Sequence, residues 1–259
     1  MPDRPHELPS KTHFLLIHCR DGSEEMIPTL REAMAHWQPV WIILEGPALA
    51  LEKRLKTISQ AESSLRVLTP KSVHGKASAV LHARELAAKK HFTHVLIMAA
   101  DGSHPAVRIR DFMALSFQHP EAMILGRPVP MASQPSPVVR WISNLPFNLL
   151  TCGAGIGEAA YGYNLFPLSA VEQSFREHRA ANTGKFDAEM KIRSLWAGVN
   201  FAQVPCPVRP PSNQTPGART DHGWPSVKML ARLLVSFPGQ LLRARHWGQK
   251  LSASSCAAP

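Results

Sequence analysis

An acidic residue stands directly after the apolar stretch "VLIMAA" at residues 95–100. This residue is Asp101, and a short polar segment follows it before a helical pattern resumes. An exposed carboxylate at the end of a buried strand is a natural ligand for a hard divalent cation, and a nucleotide diphosphate needs such a cation. The alternative is that Asp101 only caps the helix that begins near Pro105. The residues alone leave both interpretations open.

We expect alternating strands and helices to position the carboxylate of Asp101. We expect buried strands at residues 13–19, 39–46, 65–69, 93–101 and 122–129, separated by helices. Residues 158–175 predict a turn and a helix, and residues 184–210 predict a helix followed by a strand. Apolar strands with crossover helices indicate an α/β fold with a mostly parallel sheet covered on both faces. Ligands of such sheets bind at the carboxyl ends of strands, where Asp101 lies.

The composition of the 259 residues narrows the class of protein. No apolar run reaches the roughly 20 residues that span a bilayer. The polar N-terminus lacks the apolar stretch of a signal peptide, so we expect a cytoplasmic location. The four cysteines are far apart, which favours buried thiols over a disulfide framework or a zinc site.

The formal charge of +10 suits an anionic partner. The sequence has no RNA-binding signature, zinc finger or aromatic–basic stripe, so we expect no nucleic-acid partner. Much of the positive charge lies in residues 209–250. These basic residues form either a solvated face or a surface that binds an anionic membrane.

Several segments together resemble family 2 glycosyltransferases, most nearly the dolichol-phosphate-mannose synthase branch. The resemblance rests on "GKASAVLHARELAAKKHFTHVLIMAADGSHP", "ILGRP", "YGYNLFPLSAV" and "KFDAEMKIRSLWAGVNFAQVPCPVR", in the family's order and spacing over residues 13–210. It implies a glycosyltransferase A-type (Rossmann-like) fold. It also implies an inverting hexosyltransferase that uses a nucleotide-sugar, a divalent cation (Mn or Mg) and, often, a lipid-linked acceptor.

The resemblance also implies roles for individual residues. Asp101 matches the second aspartate of the family's Asp-x-Asp metal motif, and Ser103 occupies the position of a frequent glutamine beside it. The residues on the nucleotide-sugar side would be Glu45, Gly75, Lys76 and Arg127, with Arg127 facing a phosphate. Asp187 and Glu189 match the acidic pair near the acceptor, one of which would be the catalytic base. Gly162 and His222 would lie on the acceptor side.

The chain departs from the family pattern at four motifs. Ala99 replaces the first aspartate of Asp-x-Asp, which weakens the expected cation site. "LEGP" (44–47) replaces the family's "DDGS" and keeps one carboxylate, Glu45, which is either a ribose contact or a turn residue. "HCRD" (18–21) and Asn164 replace two further motif positions. These losses leave open a second reading, in which the fold binds a nucleotide, sugar or protein partner without catalysis.

The sequence divides into five segments. Residues 1–12 form a flexible N-terminus, 13–210 the glycosyltransferase-like domain, 211–225 a mobile Pro/Gly-rich loop, 226–247 a basic amphipathic helix, and 248–259 a tail. The apolar stripe of the helix at 226–247 either packs on the domain or lies on an anionic bilayer. The second possibility would make the protein peripheral on the cytoplasmic face of the membrane.

Overall fold

A computed structural model describes residues 9–20, 25–45, 48–70, 75–129, 145–158, 161–176, 186–207, 233–235 and 248–251. The strands in this part of the chain are β1 (His13–Cys19), β2 (Val40–Leu44), β3 (Leu65–Leu68), β4 (His94–Ala99), β5 (Met123–Val129), β6 (Asn164–Pro167) and β7 (Phe201–Pro207). The helices are α1 (Met26–His36), α2 (Leu49–Ala61), α3 (Gly75–Ala88), α4 (Ile109–Gln118), α5 (Leu168–Arg176) and α6 (Phe186–Trp196). A short 3₁₀ helix, Ala106–Arg108, leads into α4.

The seven strands form one sheet in the order β3-β2-β1-β4-β6-β5-β7. All neighbouring pairs are parallel except those of β6, which runs antiparallel to both β4 and β5. The strand order reverses between β1 and β4, since β2 and β3 extend the sheet on one side and β4 begins the other. Such a reversal leaves a crevice at the carboxyl ends of the two strands.

The sheet is covered on both faces because its strands are apolar at successive positions. On β1, Phe14 and Leu16 pack with α3, α5 and α6, whereas Leu15 and Ile17 pack with α1, α2 and α4. All four side chains are fully buried. The two cores pack against both faces of the strands and so position the strand ends relative to one another.

The predicted mostly parallel α/β fold is confirmed, with one strand that the sequence did not indicate. β6 lies inside residues 158–175, where we predicted only a turn and a helix. Its four residues, "NLFP", are too short to show strand periodicity, and Pro167 ends the strand where α5 begins.

The C-terminal predictions fall mainly outside the described residues, including the loop at 211–225 and most of the helix at 226–247. Residues 233–235 are helical, with Leu233 fully buried. Residues 248–251, which begin the predicted tail, are packed against β7. Phe201 N–H donates to the Gln249 carbonyl (2.9 Å), and Leu251 N–H donates to the Phe201 carbonyl (2.8 Å).

The cysteines differ in part from the prediction. Cys19 and Cys206 are buried, as expected, whereas Cys152 is exposed. Cys152 adopts a positive φ of 47° in the turn that follows the helical residues 145–150, and this turn faces solvent.

Candidate functional site

Several of the predicted site residues lie at the carboxyl edge of the sheet, beside the reversal between β1 and β4. His18 of β1 and Ala99 of β4 are register partners across that reversal. The start of antiparallel β6 lies at the same edge, since Asn164 pairs with Ile97 near the end of β4. The fold therefore brings segments from the first and second halves of the chain to one place.

Asp101 closes a turn just past the end of β4. Its Oδ1 accepts hydrogen bonds from the backbone N–H of Ser103 (3.0 Å) and from the Ser103 hydroxyl (2.6 Å). The following 3₁₀ helix has Pro105 at its N-cap and no capping side chain, so Asp101 does not cap it. The capping alternative is thereby excluded, and the exposed carboxylate remains available at the strand end.

A buried histidine beneath this turn holds it in place. His104 Nδ1 accepts a hydrogen bond from the Ala99 backbone N–H (3.1 Å), and the ring stacks on Tyr163 with 4.7 Å between centroids. Burial lowers the pKa of His104 to about 4, against the opposing effect of the Asp101 charge. The ring is therefore neutral at pH 7, which leaves Nδ1 free to accept. The sequence placed His104 near Asp101 but did not indicate that it supports the turn.

Glu45, which follows β2, links the end of β1 to the start of α3. Its Oε2 lies 3.0 Å from His18 Nε2, and its Oε1 accepts the backbone N–H of Gly75, the first residue of α3. Burial lowers the pKa of His18 to about 4, with the Lys76 charge acting in the same direction and Glu45 against it. A neutral His18 therefore donates from Nε2. Both oxygens of Glu45 have protein partners, so Glu45 acts as a brace in this structure.

Lys76 and Asp187 form an ion pair within the site. Lys76 Nζ lies 2.7 Å from Asp187 Oδ2 and 2.9 Å from Oδ1, and it also donates to the Gly162 carbonyl (3.3 Å). A Cβ placed on Gly162 would lie only 2.8 Å from Lys76 Nζ and 3.2 Å from Asp187 Oδ2. Three of the predicted site residues thus meet at one point, and the absence of a side chain at position 162 makes room for them.

The two residues of the acidic pair have different surroundings. Glu189 accepts two hydrogen bonds from the guanidinium of Arg193, at 2.9 and 2.8 Å, one helical turn along α6. Residues two apart on a helix point in nearly opposite directions, which separates Glu189 from Asp187. The structure therefore favours Asp187 over Glu189 as the carboxylate of the site.

A fully buried lysine fixes the backbone before β6. Lys191 Nζ donates to the carbonyls of Tyr161 (2.9 Å) and Glu158 (3.1 Å), and Asn164 Nδ2 also donates to the Tyr161 carbonyl (2.8 Å). Burial lowers the pKa of Lys191 to about 8, although the nearby Asp187 charge opposes this effect. Lys191 was not predicted as a site residue, and its only signal in the sequence is its position between the apolar residues Met190 and Ile192.

Arg127 lies on β5, beside the glycine-rich segment 153–157. It is exposed, and a Cβ placed on Gly157 would lie 3.9 Å from its Cγ. On the neighbouring strand, Gln203 Nε2 donates to the Gly155 carbonyl (3.0 Å). Arg127 therefore lies next to the end of the segment 153–157.

A resident metal ion does not fit the described side chains by themselves. No group of three or more His, Cys, Asp or Glu residues in the described ranges could hold one. Asp101 is a single carboxylate, one of its oxygens already accepts two hydrogen bonds, and Ala99 supplies no ligand. The Ser103 hydroxyl is directed to Asp101, and His222 lies outside the described residues.

No family model matches the chain, and no curated protein matches its sequence. Solved structures do resemble it. Residues 1–349 of S. aureus TarS in complex with UDP-GlcNAc superpose with a TM-score of 0.52 at 10% identity, covering 90% of this chain and 67% of that one. Another structure of TarS 1–349 gives a TM-score of 0.45 at 9% identity. That match covers 71% of this chain, and this chain spans 55% of the length of that TarS structure.

Glucosyl-3-phosphoglycerate synthase from Mycobacterium tuberculosis, in complex with Mn²⁺, UDP-glucose and phosphoglyceric acid, gives a TM-score of 0.49 at 13% identity. The match covers 90% of this chain and 79% of the synthase. Of these three structures, the TarS complex superposes on this chain with a TM-score above 0.5. Together with the seven-stranded, mostly parallel sheet and its antiparallel β6, that comparison shows that the chain has the glycosyltransferase A-type fold.

Proposed function

We propose that the protein transfers a sugar from a nucleotide-sugar to an acceptor, as an inverting hexosyltransferase of glycosyltransferase family 2. The observation that carries the proposal is the meeting of Lys76, Gly162 and Asp187 at the carboxyl edge of the sheet, where the charges of Asp101, Lys76 and Asp187 all act on the buried His104. Ligands of open α/β sheets bind in such a crevice. The bound UDP-GlcNAc of the TarS complex, which shares the fold, supports a nucleotide-sugar as the ligand.

The reaction assigns separate roles to the two carboxylates. Asp187 accepts the proton of the acceptor hydroxyl, whose oxygen then attacks the anomeric carbon of the sugar. The bond from that carbon to the nucleoside diphosphate breaks on the opposite side, which inverts the configuration. Asp101 lies at the strand end, where the diphosphate would sit. Glu45 and His18 keep the ends of β2 and β1 in place beside α3.

A divalent cation, Mn²⁺ or Mg²⁺, would be held at this site only together with a bound nucleotide, because Asp101 is the single carboxylate at the strand end in the described part of the chain. Asp101 would supply the single protein carboxylate, and the bound diphosphate would supply the other charged oxygens. The chemistry that such a cation would supply is neutralisation of the negative charge on the leaving diphosphate. The loss of a carboxylate at Ala99 predicts weak cation binding in the absence of a nucleotide.

The acceptor is proposed to be lipid-linked or membrane-proximal, which would place the protein on the cytoplasmic face of a membrane. Support comes from the net charge of +10 and from the basic residues between 209 and 250. None of the helices in the described ranges is long and apolar enough to cross a membrane. We expect salt-sensitive binding to anionic liposomes, because each basic residue near such a surface adds about 1 kcal/mol.

A second candidate function is binding of a nucleotide, sugar or protein partner without transfer. The observation that favours it is the involvement of Glu45 and Asp187 in contacts within the protein, together with Ala99 at the metal motif. A catalytic site normally keeps its base accessible to the substrate. The two candidates differ in whether a bound nucleotide-sugar is consumed.

The test has a binding stage and a turnover stage. Thermal-shift measurements with nucleoside diphosphates and their sugar esters, with and without Mn²⁺, identify the ligand. Incubation of the protein with that nucleotide-sugar and a polyprenyl phosphate should then release the nucleoside diphosphate. Binding without release would favour the second candidate. No binding to any nucleotide would refute both nucleotide-based functions.

A further inference from the structure

The ion pair between Lys76 and Asp187 joins two groups that the proposed reaction needs separately. An ammonium has three hydrogens to donate, and Lys76 has three acceptors: both oxygens of Asp187 and the Gly162 carbonyl. No N–H of Lys76 remains for a phosphate. Both oxygens of Asp187 are likewise engaged, which hinders this carboxylate from receiving a proton.

The pair is nevertheless accessible to a ligand. The Lys76 side chain is 22% exposed and the Asp187 side chain is 13% exposed, so the ammonium is not sealed in the core. The four-carbon stem of a lysine lets its charge move several ångströms. Asp187 has less freedom, because its side chain is short and lies in the first turn of α6, where the helix dipole favours a carboxylate.

A second positive charge near Asp187 favours separation of the ion pair. The buried Lys191 lies one turn further along α6 and interacts electrostatically with Asp187. Asp187 would therefore keep a neighbouring positive charge when Lys76 leaves. The diphosphate of a nucleotide-sugar carries more negative charge than one carboxylate, so it can compete for Lys76.

We propose that Lys76 couples the binding of the nucleotide-sugar to the release of the catalytic base, Asp187; this inference rests on the proposed function. Without ligand, Lys76 holds Asp187 against the Gly162 carbonyl. When the nucleotide-sugar binds, the ammonium moves to the diphosphate, and Asp187 becomes free to accept the proton of the acceptor. Lys76 is thus a phosphate ligand and also a positioning residue for Asp187.

If Asp187 and the diphosphate compete for Lys76, removing the charge of Asp187 should strengthen nucleotide binding. Asp187→Asn removes the charged competitor while keeping the shape of the side chain, so nucleotide affinity should rise about tenfold. Lys76→Met should lower the affinity by about tenfold or more, because a charge-assisted contact is lost. The double variant should bind as weakly as Lys76→Met alone, because the gain requires the lysine.

The experiment is calorimetric titration with UDP, GDP, ADP, CDP and dTDP in buffer containing Mn²⁺. The diphosphate that the wild type binds most tightly is then used with all variants. Lys56→Met is the matched control, since Lys56 forms an exposed ion pair with Glu52 on α2 and should not affect the affinity. Thermal melting of each variant verifies that it is folded.

The outcomes separate this inference from the proposed function. A rise with Asp187→Asn, a fall with Lys76→Met and no rise in the double variant support the coupling, because a purely structural ion pair would not increase affinity when broken. A folded Asp187→Asn protein that binds no tighter than the wild type overturns it, even if nucleotides bind well. Wild-type affinity in Lys76→Met also overturns it. Failure of the wild type to bind any nucleoside diphosphate overturns both the coupling and the proposed function.

Discussion

A pair of stacked histidines at the amino edge of the sheet should make the protein less stable in mild acid. His13 and His94 are register partners at the starts of β1 and β4, and their rings lie 4.2 Å apart and nearly parallel. His13 Nε2 lies 2.9 Å from the Ser116 hydroxyl, and His94 Nε2 donates to the Pro120 carbonyl (2.8 Å). Both side chains are buried, so neither ring can take up a proton at low cost.

The direction of the effect follows from the pKa of His13. Burial, assisted by the neighbouring His94, lowers this pKa from 6.5 to about 3. Between these two values the unfolded chain binds a proton that the folded protein does not, so stability falls as the pH falls. From pH 7 to pH 5, His13 alone should lower the free energy of unfolding by about 2 kcal/mol. The lowered pKa of His94 acts in the same direction.

The assay is urea denaturation at pH 7 and pH 5 for the wild type and for His13→Gln, whose amide can still bond to Ser116. Between the two pH values the variant should lose about 2 kcal/mol less than the wild type. His91→Gln is the control: this histidine is exposed, so its replacement should keep the wild-type pH dependence. If His13→Gln loses as much stability as the wild type, His13 is not a buried neutral group and the reasoning is refuted.

Three further predictions concern the site and its supports. Gly126→Ala should destabilise the protein by about 2 kcal/mol or more in urea denaturation, since the added Cβ would lie 2.5 Å from the Tyr163 carbonyl oxygen. Gly153→Ala should cost only about 1 kcal/mol, because a Cβ there meets open space and only the positive φ of 72° is unfavourable. Equal losses would contradict the distinction. Glu45→Gln should cost about 1–2 kcal/mol in the same measurement, because an NH2 group, which cannot accept a hydrogen bond, replaces one of the two accepting oxygens. An unchanged stability would argue against the brace. Asp101→Asn should abolish the Mn²⁺-dependent part of nucleotide binding in calorimetry without changing the melting temperature, whereas parental binding would exclude a metal role.

The sheet was predictable because its signals are local. The strand β4 and the carboxylate after it could be identified from seven consecutive residues, "VLIMAAD". β6 could not, because its four residues become a strand only between β4 and β5, which supply its hydrogen-bonding partners. The resemblance to a family made Lys76, Gly162 and Asp187 candidate site residues, but it did not indicate that they contact one another.

The contacts within the site escaped prediction because they join distant parts of the chain. Lys76 and Asp187 are 111 residues apart, and no periodicity links them. Lys191 looked like an ordinary helix residue, yet it is fully buried because the backbone carbonyls at Tyr161 and Glu158 turn toward it. Glu45 was predicted as a ribose contact or a turn residue, and the structure shows a third role, in which it bridges His18 and α3.

The docking of residues 248–251 on β7 also bears on how the C-terminal segment should be studied. β7 is the last strand of the sheet, and Gln249 and Leu251 bond to Phe201 on its outer side. An uncovered edge strand offers unpaired N–H and carbonyl groups to other molecules and promotes aggregation. Deleting residues 226–259 would therefore uncover this edge, and sedimentation with liposomes would then mix self-association with membrane binding. Neutralising the basic residues between 236 and 247, while residues 248–251 stay in place, would test membrane binding without uncovering the edge of β7.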